Sequence, residues 1–344
     1  MIYLILSYSF NDLEEPMPTA KLSDPILEHH WHIAALSSDV NNKPVQTFIL
    51  GEQIVIWRNH EGIHAFKDLC IHRGTALSLG KVCNGNLVCA YHAWEFDSNG
   101  QCVKIPAQPP EMTIPTKAKT EAYHVQERYG FIWVCLKEPK ADIPPYPEFD
   151  DAGFHTIICG PYTVLAEPPR VIENFLDVSH LMWVHEGYLG VPSHAQIPEH
   201  HVHDVNGQLV SDPITVFQPD PDGRGKVLNN DYVYAIVAPM AVRFSKSDNR
   251  TREVFSIILM VTPSKVRETK VYMLLSRNYG FEMDDKVFQD FQDKIFSQDL
   301  AILESQRPEE LPLDLQQELH LKSDRIAIAY RQYLTRLGMK VGTI

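Results

Sequence analysis

Two cysteine–histidine pairs, Cys70-x-His72 and Cys89-x-x-His92, stand sixteen residues apart in the run CIHRGTALSLGKVCNGNLVCAYHAW. Each pair has the reach to clamp one metal ion or one cluster, so the chain around them has to fold two loops over a shared centre. Thiolate with imidazole favours zinc or iron–sulfur over calcium or magnesium. Four N/S ligands in two short pairs describe a structural zinc site. They equally describe a 2Fe-2S centre with two cysteines on one iron and two histidines on the other, each loop supplying one ligand to each iron. The tight C-x-H spacing, the histidine that ends both pairs and the turn-like segments that follow (HRG, HAW) favour the cluster.

The chain has six cysteines, Cys70, Cys83, Cys89, Cys102, Cys135 and Cys159. An even count suits disulfides, but a chain of 344 residues without an export signal belongs where thiols stay reduced, and ligation is the better use of a spaced pair. The opening MIYLILSYSF is too short to span a bilayer and lacks a basic flank and cleavage site, so the reading is a cytoplasmic protein with no membrane partner. Residues 1–16 read as an extension, either disordered or translated from an upstream start. The formal charge of -13 argues against nucleic acid or an anionic membrane surface as partner, because both repel an acidic protein at long range.

From about Trp31 to Lys137 short runs rich in β-branched and aromatic residues (QTFIL, QIVIWR, NLVCAYHAWEF, GFIWVCL) alternate with turn signals such as CNGN and DSNG, which predicts an all-β module of hairpins. PKADIPPYPEFDDAG then packs proline, aspartate and glycine into a segment that cannot continue a strand, a domain edge near residues 138–153. Beyond it VIENFLDVSHLMWVH has apolar residues at helical spacing. Strand-like runs follow (YVYAIVA, EVFSIILMVTP, KVYMLLSRN), then helical stretches over roughly 284–306 and 324–337. The expected fold is α+β: an N-terminal extension (1–24), an all-β domain (25–145) and a domain of antiparallel sheet flanked by helices (146–344).

The cysteine–histidine stretch resembles the signature of Rieske 2Fe-2S domains, C-x-H-(x15 to 17)-C-x-x-H with a trailing aromatic. It departs at Ala93, where most members have glycine. Thr75 and Tyr91 stand where respiratory members carry a disulfide, so the resemblance is to the oxygenase and ferredoxin type, with Cys70, His72, Cys89 and His92 as cluster ligands. Cys83 is read as an ordinary loop thiol.

A ferredoxin would end near residue 140; the remaining two hundred residues contain ENFLDVSHLMWVH. His180 and His185 are candidate ligands of a two-histidine, one-carboxylate ferrous site, which leaves positions open for dioxygen and substrate. Residues five apart on an ideal helix point away from each other, so the imidazoles converge only if the helix ends or bulges between them. The segment resembles the E-N-x-x-D-x-x-H-x4-H motif of Rieske non-heme iron oxygenases, and so does the order of the whole chain from about 25 to 340. That resemblance implies a distant carboxylate ligand, Asp299 in FSQDLAILESQ, with Asp290, Asp293 and Glu304 as solvated neighbours. It also implies that Asp177, one turn before His180, accepts from the imidazole and meets a cluster histidine of the neighbouring subunit in a head-to-tail homotrimer, His92 feeding Asp177 of the next chain. HHVHD at 200–204 is read as surface histidines.

What the resemblance implies for function is a monooxygenase: a Rieske cluster and mononuclear Fe(II), dioxygen, a small-molecule substrate, and electrons ultimately from NAD(P)H through a partner reductase or ferredoxin. The chain has no GxGxxG motif to bind that nucleotide itself. Motif order and length resemble the vanillate O-demethylase-like branch. QERYGFIWVCL, HEGYLG and DRIAIAYRQYLTRLGM look most like saxitoxin-pathway hydroxylases, which points to hydroxylation of a guanidinium alkaloid. Oxidative O- or N-demethylation is the alternative, sharing the same C–H insertion step, and an electron-transfer protein without oxygenase activity is a second alternative. Pocket walls are expected from the strands around 231–278 and the helix carrying His180.

Overall fold

The computed structural model describes residues 21–248 and 250–344; the extension read at 1–16 lies outside the described residues. Three small antiparallel sheets build the N-terminal part. Val45–Ile49, Glu52–Asn59 and Gly62–Lys67 form a meander. Its middle strand is buried on both faces: Ile54 and Ile56 enter the main core, while Val55 and Trp57 enter a separate core with Phe66 and Phe96. Because strand side chains alternate between faces, burial of both is why the IVIW within QIVIWR is apolar without interruption.

Lys81–Cys83, Asn86–Val88, Glu95–Phe96 and Cys102–Lys104 form the second sheet. Asn84 and Gly85 both take positive φ, 51° and 82°, so the CNGN signal is a two-residue hairpin turn with Cys83 paired to Asn86. The third sheet orders His32–Leu36, Phe131–Cys135 and His124–Arg128. Its Trp31, Ile33, Phe131 and Trp133 pack on Ile258, Tyr272 and Leu274 of the C-terminal sheet. The proline-rich segment at 138–153 is packed too: Ile143 and Tyr146 are buried, and the Tyr146 hydroxyl donates to the Ser256 carbonyl at 3.1 Å.

The C-terminal part is an eight-stranded antiparallel sheet in the order His155–Val164, Glu268–Arg277, Val254–Lys265, Ala241–Ser247, Leu228–Ala238, Gln208–Ser211 and Val202–Val205, with Ile214–Gln218 also paired to Leu228–Ala238. Val254–Lys265 is buried along nearly its whole length, between the third N-terminal sheet on one side and the helices on the other. Helix Asp285–Ser305 starts at Asp284, whose side chain accepts from the Lys286 N–H. It buries Phe288, Gln292, Ile295, Asp299 and Leu303, one stripe at helical spacing. Helix Arg325–Leu337 ends at Gly338, whose positive φ of 73° lets its N–H turn back to Leu334 and Thr335.

The helix expected through His185 is shorter than the apolar spacing suggests. Pro168–Leu176 is α-helical, with proline at its first position, and Asp177 is already extended at φ -81°, ψ 123°. Ser179–Met182 is a separate 3-10 turn. Asp177 and His180 therefore do not share a helix face; their proximity comes from the sharp exit of the helix, fixed by the Asp177 carboxylate accepting from the Ser179 N–H at 2.7 Å.

Candidate metal centres

The two cysteine–histidine loops are the same turn built twice. Cys70 N–H bonds to the Thr75 carbonyl at 2.8 Å and Gly74 N–H to the Cys70 carbonyl at 2.9 Å. In the second loop Cys89 N–H bonds to the Trp94 carbonyl at 2.9 Å and Ala93 N–H to the Cys89 carbonyl at 3.1 Å. Four residues after each cysteine the backbone is left-handed, φ 74° at Gly74 and 55° at Ala93. Glycine takes that conformation freely; Ala93 takes it against its own methyl group.

Cys70 and Cys89 are buried side by side, whereas His92 is exposed and His72 half-buried. The two imidazoles meet edge to face at 4.4 Å, and Trp94 stacks on His72 at 4.5 Å. Burial, with Cys89 adjacent, pushes the Cys70 thiol up to about 11, so a thiolate there needs a cationic centre to stabilise it. His72 Nδ1 is buried without a hydrogen-bond partner. Two inner sulfurs and two outer imidazoles, one of each per loop, are the donor set of a 2Fe-2S centre with mixed ligation. Cys83, exposed, and Cys102, buried on a neighbouring strand, stand apart as free thiols.

In the C-terminal part His180, His185 and Asp299 offer ligand atoms that all lie within 4.8 Å of one another. His180 Nε2 is 3.2 Å from His185 Nε2 and 3.6 Å from Asp299 Oδ1, and His185 Nε2 is 3.3 Å from that same oxygen. Adjacent donors around one ion at first-row metal distances are spaced in this way, and two facing imidazole nitrogens beside a buried carboxylate are a cation site. The carboxylates make the pocket anionic: burial opposes protonation of His180, yet Asp177 and Asp299 outweigh it and raise the group above its ordinary range. Asp177 is likewise pushed up by burial but held below its usual range by His180 and the backbone N–H groups of the turn.

Two members of the trio, His185 and Asp299, are held from behind. Gln298, which the sequence reading missed, places its carbonyl oxygen 2.8 Å from His185 Nδ1 and so leaves Nε2 facing the pocket. Asn174 donates to Asp299 Oδ1 at 3.4 Å. Asp177 Oδ2 lies 3.6 Å from His180 Nδ1, beyond direct hydrogen-bond distance. Glu173 is turned the other way, paired with Arg331 at 2.6 and 2.8 Å in a buried network with Arg170 and Glu318 that pins the short helix to Arg325–Leu337.

Asp299's rivals are engaged elsewhere: Asp290 with Lys286, Asp293 with the Tyr162 hydroxyl, Glu304 with the Leu165 N–H. Among the 200–204 histidines, His201 and His203 both pair with Asp212 on the surface, at 3.3 and 2.8 Å, whereas His200 departs from the surface reading: it is buried, with its Nδ1 3.0 Å from the Pro198 carbonyl.

The trio sits at a cavity walled by the sheet, as expected, and also by the long helix, which was not. Phe175, Tyr234, Phe244, Ile257, Ile295 and Phe296 are part of its apolar lining. One wall residue is a cation: Lys246, on strand Ala241–Ser247, is only 4% exposed. Its signal in the sequence was an inward position of an alternating strand, in step with Val242 and Phe244.

A mixed cysteine–histidine centre on one part of a chain, and a two-histidine, one-carboxylate pocket opening on an apolar cavity in the other, define a Rieske non-heme iron oxygenase. The chain belongs to the family of the vanillate O-demethylase oxygenase C-terminal domain, which matches residues 164–339, and carries a Rieske [2Fe-2S] domain over residues 30–124. It takes a 2Fe-2S cluster and mononuclear iron. Methylxanthine N1-demethylase NdmA of Pseudomonas putida is 29% identical over 322 residues, covering 90% of this chain and 89% of that one. The vanillate O-demethylase oxygenase subunit of Pseudomonas sp. strain HR199 is 26% identical over 335 residues, covering 89% and 93%. The solved structure of P. putida NdmA with caffeine superposes with a TM-score of 0.82 at 28% identity over 90% of this chain and 91% of that one. Among the described residues no helix is long and apolar enough to cross a membrane.

Proposed function

We propose that this oxygenase oxidises a C–H bond of an N- or O-methyl group on a small planar ring, so that demethylation is the outcome. The observation that carries the reading is the position of His180, His185 and Asp299 at a cavity with aromatic walls. Two relatives matched over about nine-tenths of their length, a methylxanthine N1-demethylase and a vanillate O-demethylase subunit, support the methyl group as target.

Cys70, His72, Cys89 and His92 would hold the cluster, and His180, His185 and Asp299 the iron. When bound, these groups supply single electrons and activate dioxygen for insertion of one oxygen atom into the C–H bond. Gln298 and Asn174 keep His185 and Asp299 aimed at a common point, and the apolar walls exclude water and seat the ring. Asp177 leads from His180 toward the surface. We assign it the bridging role in a head-to-tail homotrimer, where His92 of one chain meets Asp177 of the next.

Two electrons, ultimately from NAD(P)H through a ferredoxin or reductase partner, and two protons reduce the second oxygen atom to water. The hydroxylated methyl carbon is a hemiaminal or hemiacetal that collapses to formaldehyde and leaves N–H or O–H on the ring. The domain limits we assign are 25–145 and 146–344, in a cytoplasmic enzyme.

Hydroxylation of a guanidinium alkaloid is the second reading, favoured by the likeness of QERYGFIWVCL and DRIAIAYRQYLTRLGM to saxitoxin-pathway hydroxylases; the buried cation Lys246 in the cavity wall stands against it. Turnover of methylxanthines and methoxybenzoates with a reductase and NADH tests the first: formaldehyde in equal amount to substrate lost supports demethylation, and a hydroxylated product that keeps its methyl carbon sinks it. Metal analysis is the prior check, with about three irons and about two sulfides per chain expected.

A further inference from the structure

Lys246 is a buried ammonium with too few partners. It donates to the Pro221 carbonyl, and an ammonium has three donors to place. Among the described residues no carboxylate pairs with it directly. Of the acids that act on it through space, Asp222 is already taken by Arg224 at 2.7 Å and by the Tyr279 hydroxyl, and Asp220 accepts from the Gly223 and Gly225 N–H groups at 2.9 Å. Three aromatic faces surround the charge instead, Phe255 at 4.2 Å, Tyr232 at 5.8 Å and Phe244 at 5.9 Å. Ring faces lower the cost of a buried cation but leave its N–H groups unsatisfied. Burial pulls the group down to about 8, against the pull of Asp222 and Asp220, so it is still mostly charged at neutral pH.

The sheet register gives its distance from a row of the cavity wall on the His180 side. Tyr234 pairs with Phe244, and this row feels the charge of Asp177, on the His180 side of the cavity. Lys246 pairs with Tyr232 two residues further along the strand, roughly 7 Å away. Lys246 and the three candidate ligands line the same cavity.

We propose that Lys246 is the specificity-determining residue of the cavity: it receives an oxygen acceptor of the substrate, a carboxylate above all, while the opposite end of the ring presents its methyl group to the metal trio. A substrate cation at the same place would meet a second buried positive charge and is excluded. The proposal rests on the oxygenase reading of the cavity but is tested without turnover, so the two can fail separately.

The probes are 4-methoxybenzoate, 4-methoxybenzamide and 4-methoxybenzamidine, which share a ring and a methyl group and differ in charge at one end. Binding is measured by calorimetry on iron-loaded holoenzyme under nitrogen, with no reductant. The expected order is carboxylate tightest and amidine weakest, with a ratio between them of about a hundredfold or more. The iron end also favours an anion, so the variants decide: Lys246→Met shrinks that ratio at least about tenfold, and Lys246→Arg keeps it. An amidine that binds wild-type enzyme as tightly as the carboxylate overturns the proposal without any variant. So does an unchanged ratio in Lys246→Met, or the failure of all three to bind. Loss of formaldehyde release with the charge order intact would instead count against demethylation alone.

Discussion

His185 Nδ1 lies 2.8 Å from the side-chain carbonyl oxygen of Gln298, and this contact decides which imidazole nitrogen faces the pocket. The ring donates through Nδ1–H, so Nε2 keeps its lone pair for a metal. Gln298→Leu removes the acceptor while keeping comparable bulk. We expect iron to bind about 10–100-fold more weakly in that variant. The measurement is a ferrous titration with the Rieske EPR signal as internal control; full iron occupancy at wild-type affinity would show that Gln298 does not orient the ring.

Asp177→Asn keeps the turn's acceptor toward Ser179 but removes the charge beside His180. Both metals should remain and the cluster should still be reducible, while product formation falls by about 10–100-fold. Rapid-freeze EPR of the reduced cluster mixed with substrate and oxygen reads the coupling directly. Wild-type reoxidation would remove Asp177 from the route.

Arg331 is almost fully buried and shared between Glu173 and Glu318. Arg331→Met leaves two carboxylates in a pocket built for a guanidinium, with Arg170 as their one remaining cationic partner in that network. Breaking a buried pair in this way costs on the order of 3–5 kcal/mol, and here it also frees the helix that leads to His180. Urea denaturation of the holoenzyme checks the size of the loss.

The candidate cluster ligands were readable because the chemistry proposed for them demands short spacing: C-x-H and C-x-x-H suit a shared centre better than a thiol core. The strand runs were readable where both faces are buried, as in QIVIWR and EVFSIILMVTP. The end of the helix at Leu176 was not, because Asp177, Val178 and Ser179 carry no glycine or proline, and the break comes from a carboxylate that caps its own turn. Asp299 was placed by resemblance, though its physical signal was present as an acid on the stripe of Phe288, Gln292, Ile295 and Leu303. The inward position of Lys246 had a local signal in the alternation of its strand, but its partner, like that of Gln298, did not: each acts through a contact more than twenty residues away in sequence, which no local pattern encodes.

Ala93 sits at φ 55° where its counterpart Gly74 sits at 74°. Ala93→Gly should relieve the left-handed strain, and the gain, offset by the freer unfolded chain, comes to about 1 kcal/mol or less. Loss of cluster absorbance on heating should shift upward in the variant. A downward shift would mean that the methyl group packs against the cluster loops.

Lys246 gives stability a pH dependence whose sign is opposite to that of a salt-bridged lysine. Its value falls from 10.5 in the unfolded chain to about 8 in the fold, chiefly through burial. Between those two pH values the unfolded chain binds the extra proton and the folded chain does not, so stability rises with pH across the window. The groups facing it are Asp220, Asp222, whose carboxyl burial pushes up but Arg224 and the Tyr279 hydroxyl hold below the usual range, Arg224, raised by its carboxylate partners against burial, and Tyr232 and Tyr279, both pushed well above the tyrosine range by burial. In Lys246→Met this contribution is absent. Subtracting the variant's denaturation free energy from that of the wild type isolates it: the wild type should gain on the variant by on the order of 1–3 kcal/mol between pH 8 and pH 10. A difference that stays flat or falls over that range would mean the ammonium is paired rather than held open for a substrate.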